Sequence, residues 1–221
     1  MLAEYTPVRQ PIADQMYEVL LRQFMNGSRA AGESLNIGAL SRELNVSQTP
    51  LREALARLEH TGLVRREALR GYRVAPMMSR NEIAQLMDAR LLLEPKLASE
   101  AALRATPVFL RAINETVRDF ASAEPRADVE SEEFGLYWSA DHRFHTLIAS
   151  QAGNPFLETA YDALSGQIQR FRLFSKMGHT GLDAAVPEHE VILKALEAGD
   201  PVAASEAMRS HIEGAMRRSI G

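Results

Sequence analysis

The chain has 221 residues, 46% of them apolar and 24% charged, which allows one large domain or two small ones with packed cores and excludes a disordered, collagenous or disulfide-built chain. It contains no cysteine, so thiol catalysis, disulfides and thiolate zinc fingers are ruled out. The net charge of −4 is unevenly spread: residues 1–76 carry ten Arg against eight acids, and the remainder carries fifteen bases against twenty-one acids. That split fits a mildly basic head joined to an acidic body with a different partner, although a solvated surface of mixed charge gives the same numbers. No run of about 18 apolar residues occurs, so no membrane-spanning helix is expected. The opening MLAEYTPVRQPIADQ has no basic stretch followed by an apolar one, so it does not read as a signal peptide, and the expected location is the cytoplasm.

Taken in order, residues 11–25 form a helix: Ile12, Met16, Val19, Leu20 and Phe24 recur at helical spacing, and Asn26-Gly27 ends it. After a turn from Gly27 to Gly32, a short helix runs from Ala39 to Leu44, and Asn45-Val46-Ser47 turns the chain. Ser47 suits an N-cap, Pro50 is tolerated in the first turn, and Leu51, Leu55 and Leu58 are the inward face of the next helix, which closes at Thr61-Gly62. Leu63-Val64, a basic stretch, Leu69-Arg70-Gly71-Tyr72 and Arg73-Val74 read as a small hairpin. Three helices and a two-stranded wing make a winged helix-turn-helix. Ser47, Gln48, Thr49 and Arg52 lie at the helix N-terminus that such a fold puts into a major groove, where short polar side chains and arginines meet bases and phosphates. Its first-turn amides can also hold a phosphate.

From Pro76 onward every segment reads as helix. Ser79-Arg80-Asn81-Glu82 is a capping box opening a long helix toward Ala105, with Pro95 expected to kink it. Further helices start at Thr106-Pro107 and end near Glu124-Pro125, span about 130–151, and run from Pro155 to about Met177. Pro187 is expected to open a fifth helix ending at Gly199, and Asp200-Pro201 a sixth. The fold expected is therefore mainly α: a winged head over residues 1–76 and an antiparallel six-helix bundle over residues 77–221.

The bundle carries one polar constellation. Asp141 and His145 are four apart and share a helix face, His189 begins the fifth helix and His211 lies in the sixth. Three imidazoles and a carboxylate suit a borderline divalent ion such as Zn²⁺, Ni²⁺ or Mn²⁺. Spacing alone does not show that they converge; histidines scattered through a bundle are as readily exposed or satisfied by hydrogen bonds. His142 is turned about 100° from Asp141 and reads as surface or as support for the ligands, and neither His60 nor His179 has a matching partner. Arg57 and Glu59 read as solvated helix surface or an ion pair, and Arg65, Arg66 and Arg70 either as wing surface or as phosphate contacts.

The segment LSRELNVSQTPLREALARLEHTGLV, with the later Gly71 and Val74, resembles the DNA-binding domain of the GntR family of bacterial transcription regulators over about residues 11–76. That resemblance implies DNA contacts at Ser47, Gln48, Thr49, Arg52 and Gly71. Two positions depart from it: many members carry Arg where this chain has Gln48 and a charged residue where it has Gly38, and Gln suits adenine better than guanine. DHRFHTLI, EHEVILKALEAGD, AMRSHI and RLLLEPKLA resemble the ligand-binding (FCD-type) domain of the FadR branch, and six helices resemble its VanR-like group. Carried over by position, the resemblance implies metal ligands at Asp141, His145, His189 and His211, with open coordination positions for water or a carboxylate effector. Arg90 lies four before Glu94, the spacing of an intrahelical ion pair; the resemblance also lets it face the cavity as a grip on an effector carboxylate.

The function expected is that of a homodimeric DNA-binding regulator, repressor or activator, acting on a short inverted repeat of double-stranded DNA under control of a small organic acid bound at the metal. A metal sensor without an organic effector and, further off, a metalloenzyme are the competing classes. The enzyme lacks a convincing general base beside the ligands and leaves the head unexplained.

Overall fold

The computed structural model describes residues 10–25, 27–68, 70–122, 132–174 and 182–220. Leu69 in the expected hairpin, the helix ends expected at Glu124-Pro125 and Met177, and His179 lie outside the described residues.

In the head, α1 (Ile12–Met25), α2 (Ile37–Glu43) and α3 (Gln48–His60) pack with three short strands, β1 (Ser34–Leu35), β2 (Val64–Glu67) and β3 (Gly71–Val74). Asn36 caps α2 through its side-chain oxygen, which accepts from the Ala39 amide at 2.9 Å. Ser47 has the extended backbone of an N-cap to α3, but its hydroxyl makes no capping bond there. Leu20, Phe24, Leu40, Leu51, Leu55, Leu58, Val64 and Val74 form the buried centre, in keeping with the helical spacing of the leucines of α3. The wing differs from the expected two-stranded hairpin. β3 lies between β2 and β1, antiparallel to both, with Leu35 opposite Tyr72 and Val64 opposite Val74. A two-residue strand is too short to leave an alternating pattern, so β1 exists only because β3 presents it with an edge.

The body has six helices among the described residues: α4 (Arg80–Leu103), α5 (Pro107–Ser122), α6 (Glu132–Gln151), α7 (Pro155–Phe174), α8 (Leu182–Glu197) and α9 (Pro201–Ile220). The Ser79–Glu82 capping box is formed, the Ser79 amide donating to Glu82 at 2.8 Å and the Glu82 amide to Ser79 at 3.2 Å. Pro187 does not open α8, which begins five residues earlier at Leu182. Near a helix start a proline forfeits a single amide bond, so exposed Pro187 is accommodated one turn further in than expected. Pro95 also stays inside its helix and is buried. Met87, Leu97, Ala98, Ile113, Phe144, Ile148, Ile192, Leu196, Met208 and Ile212 form the core from five of the helices. Small residues on α4 (Ala98, Ala101 and Ala102), fully buried, let neighbouring helices approach it closely.

Head and body meet along α7. The Thr61 backbone lies so close to Gly166 that a Cβ there would stand 2.0 Å from the Thr61 carbonyl oxygen. Arg170, buried, donates from Nε and Nη2 to the Pro76 carbonyl at 2.9 and 2.7 Å.

Candidate metal centre and nucleic-acid interface

Asp141, His145, His189 and His211 come from α6, α8 and α9, yet each offers a ligand atom within 4.8 Å of the others, and all four are buried. Asp141 and His145 share a face of α6, while α8 and α9 supply one imidazole each. His189 Nε2 lies 3.4 Å from Asp141 Oδ1 and 3.5 Å from His145 Nε2, and His145 Nε2 lies 3.7 Å from Asp141 Oδ1. Phe144 and Phe120 pack their rings against His189, with centroids 4.3 and 4.5 Å away, and wall the cluster with apolar surface.

The outward nitrogen of each imidazole is held from behind. His189 Nδ1 donates to the Ala185 carbonyl at 2.8 Å. His145 Nδ1 lies 2.7 Å from Glu94 Oε2, and His211 Nδ1 lies 2.8 Å from Glu188 Oε2. Burial pulls the Glu94 carboxyl upward, but the Arg90 charge and His145 outweigh it and hold the group well below the usual carboxylate range. At Glu188 burial is again opposed, by hydrogen bonds from His211 and Arg218, and the carboxyl is brought down to about 2. Ionised carboxylates and carbonyls only accept, so the ring proton of each neutral imidazole belongs on Nδ1 and each Nε2 presents a lone pair. Burial is the main influence on His211 and keeps its pKa below the ordinary histidine value despite Glu188, so that ring is neutral at physiological pH.

Three inward lone pairs and a carboxylate in a buried space repel one another unless a cation or protons lie between them. This donor set fits a divalent transition ion, with each histidine oriented by an outer partner as metal-binding histidines usually are. Sequence reasoning named the four inner residues. It treated Glu94 only as a partner of Arg90, and it did not assign Glu188, although the acid directly before His189 was part of the quoted EHE motif.

Arg90 is fully buried and clasps Glu94, Nε to Oε1 at 2.5 Å and Nη2 to Oε2 at 3.3 Å. The intrahelical ion pair is therefore formed, and it backs His145 through the shared carboxylate. Arg218 grips Glu188 with two bonds, 2.8 and 2.9 Å, and a Cβ at Gly214 would fall 2.7 Å from the Glu188 carboxylate. His142 stands outside the inner four, stacked on Trp138 at 6.0 Å and 3.2 Å from Gln169 Nε2.

On the head, Ser47, Gln48, Thr49 and Arg52 are all exposed around the first turn of α3. Arg52 Nη2 donates to Gln48 Oε1 at 3.2 Å, so the two side chains lie together on one face. Gly71 opens β3 with φ +89, in the left-handed region that glycine alone enters cheaply, and a Cβ there would stand 3.3 Å from the Leu35 carbonyl oxygen. Arg65, Arg66 and Arg70 on the wing are exposed, whereas Arg73 is tied to Glu67 at 2.7 Å and to the Gly32 carbonyl at 2.6 Å. Arg57 pairs with Asp14 and lies over the Tyr17 ring at 4.5 Å, and His60, also exposed, ends α3.

Residues 12–74 match the family described as bacterial regulatory proteins of the gntR family, and residues 85–214 match the FCD domain. The chain is a GntR-family transcriptional regulator with an FCD domain. This regulator is 30% identical over 209 residues to the HTH-type transcriptional regulator LutR of Bacillus subtilis (strain 168), a match covering 85% of this chain and 91% of LutR. It is 30% identical over 202 residues to the HTH-type transcriptional repressor GlaR of Escherichia coli (strain K12), covering 89% of this chain and 90% of GlaR. Its fold is similar to that of E. coli McbR/YncC, with a TM-score of 0.72, 19% identity and coverage of 95% of this chain and 97% of that one. GntR-family regulators bind DNA, and no described helix is long and apolar enough to cross a membrane.

Proposed function

We propose that this GntR-family regulator is a homodimeric transcription factor, working as repressor or activator, whose DNA affinity is set by a small organic acid bound at a divalent metal in the bundle. The observation that carries the reading is the convergence of three histidines and one aspartate, buried and each offering a ligand atom within 4.8 Å of the others, with each imidazole backed by Glu94, Ala185 or Glu188. Asp141, His145, His189 and His211 hold the ion, which is Zn²⁺, Ni²⁺ or Mn²⁺ by donor type. Once bound, the ion supplies a positive centre able to take a carboxylate oxygen at its remaining positions. Arg90 is the second grip for that acid: Nε and Nη2 hold Glu94, and Nη1, 3.8 Å from Met87 Sδ, is the donor that turns to a ligand.

On the DNA side, Ser47, Gln48, Thr49 and Arg52 read the major groove and the wing at Gly71 approaches the backbone. Two heads related by a dimer two-fold read a short inverted repeat. The boundary between the reading head and the responding body lies near residue 76, where the wing ends and the Pro76 carbonyl meets Arg170. The similarity to LutR, a transcriptional regulator, and to GlaR, a transcriptional repressor, favours a regulator rather than a metalloenzyme.

The test starts with elemental analysis of untagged protein. Gel shifts then follow on a duplex selected from a randomised library, with chelator, with Zn²⁺ alone, and with Zn²⁺ plus each of a panel of small organic and sugar acids. DNA affinity that changes with one acid only when metal is present supports the reading. A full response to metal alone replaces it with a metal sensor. Less than about a tenth of an equivalent of any transition metal, with no uptake on addition, removes the site.

A further inference from the structure

Trp138, the one tryptophan of the sequence, belongs to the bundle helix α6, yet it is buried in the apolar cluster of the head with Leu20, Phe24, Leu51 and Leu58. Trp138, Asp141 and His145 stand at i, i+3 and i+7, so they form one stripe along α6. One end of the stripe enters the head core, and Asp141 and His145, about 5 and 10 Å further along the axis, are two of the four clustered ligands. Beside it, His142 stacks on Trp138 and meets Gln169 of α7, and the next residue, Arg170, clasps the Pro76 carbonyl where the head's last strand leads into α4. Gly166, one turn earlier on α7, gives the Thr61 backbone its seat, because any Cβ would overlap it.

This seat is not fully satisfied. The Trp138 indole N–H and Gln169 Oε1 are buried without a hydrogen-bond partner among the described residues.

We propose that Trp138 and Arg170 are positioning residues that join metal occupancy to head docking in one linked equilibrium. The inference rests on the metal reading of the cluster given above. An ion shared by Asp141 and His145 of α6 with His189 of α8 and His211 of α9 pins α6 to the far side of the bundle, and the position of Trp138 follows because it rides on the same rigid helix. Without the ion, protons and hydrogen bonds among the four must take its place, α6 is held to α8 and α9 less firmly, and the seat for the head loosens. By linkage, whatever fixes the head orientation must change metal affinity by the same factor. DNA held by a correctly oriented pair of heads is one such influence.

The experiment uses full-length protein stripped with chelator and titrated with Zn²⁺, following zinc stoichiometry, zinc affinity and acrylamide quenching of Trp138 fluorescence. Zn²⁺ has a closed shell and does not itself quench the indole. In the wild type, uptake of one equivalent should lower the quenching constant. Gly166→Ala should block the seat by steric overlap while raising the helix propensity of α7. This variant should keep one equivalent of zinc, lose about fivefold or more in zinc affinity, and show high quenching with or without metal. Arg170→Gln, which removes the clasp without adding bulk, should do the same and stands in should Gly166→Ala fail to fold. Stoichiometric zinc with unchanged wild-type quenching would overturn the proposal while leaving the metal site intact, as would either variant responding to zinc as the wild type does. No zinc uptake by the wild type would instead overturn the metal reading itself, and this coupling with it.

Discussion

Ser47, Gln48, Thr49 and Arg52 lie within six residues of one chain segment and face solvent, whereas Asp141, His145, His189 and His211 come from three helices and are buried. The first group is placed by helix geometry alone: once α3 forms, its N-cap and first two turns carry all four side chains. The second group exists only if α6, α8 and α9 pack in one register, and its geometry is maintained by a further layer, Glu94, Ala185 and Glu188. Exposed contacts can be exchanged one at a time with local consequences. A buried polar cluster responds as a unit, because each member left without its partner keeps the cost of burial.

The sharpest break of that contrast is at His189. Replacing His189 or His211 with Ala should abolish stoichiometric metal binding while the helical spectrum persists, since the apolar core around Met87, Ile192 and Ile212 is independent of the ion. His142→Ala, outside the inner four, should leave the stoichiometry unchanged in the same elemental analysis. If His189→Ala still holds one equivalent, the cluster is not the site.

Acidification should release the metal. His211 is held by burial below its ordinary value of 6.5, so it keeps its ligand lone pair down to a lower pH than a free histidine would, and the loss of affinity should set in below 6.5. The apo protein should also lose stability as pH falls below 6.5, because the unfolded chain takes up a proton that the buried ring refuses; the loss ends once the lower folded pKa is passed. A metal titration at several pH values, together with apo melting curves, separates the two. A midpoint above 6.5 would contradict the geometry around His211.

Glu188→Gln probes the outer layer. Its carboxylate, brought down to about 2, orients His211 and is itself gripped by Arg218. Exchanging it for a neutral amide should cost about 10- to 100-fold in metal affinity without removing the stoichiometry. Isothermal titration distinguishes weakened binding from a lost site. Affinity equal to wild type would mean that the outer contacts follow the ligands rather than set them.

At the head the effects should be smaller and local. Arg52→Ala should weaken binding to the selected duplex by about 1–3 kcal/mol with an unchanged melting temperature, because the side chain is exposed and its hydrogen bond among the described residues is to Gln48. Loss spread evenly over sequences would mark a phosphate contact, and loss confined to the cognate site a base contact. Gln48→Arg should alter preference more than strength, moving one base of each half-site toward guanine, since the guanidinium fork fits guanine O6 and N7 and the amide fits adenine. A randomised selection that returns the same consensus for both proteins would take Gln48 off the reading surface.

The sequence by itself determined the elements that local chemistry dictates. The leucine spacing of α3, the Ser79–Glu82 capping box and the glycines after the helices are short-range signals, and the helices stand where those signals put them. The i, i+4 spacing of Asp141 and His145 was legible for the same reason, as was the Arg90–Glu94 pair. His189 and His211 could be joined to that pair only through a family resemblance, because nothing local links residues on separate helices. Tertiary packing alone decided three further features. β1 needed the edge of β3, α8 absorbed Pro187 within its length, and Trp138 left its own bundle to complete the core of the head. Each depends on a surface supplied by a distant part of the chain. A residue's periodicity records which face of its own element it occupies and carries no information about the neighbour that covers that face.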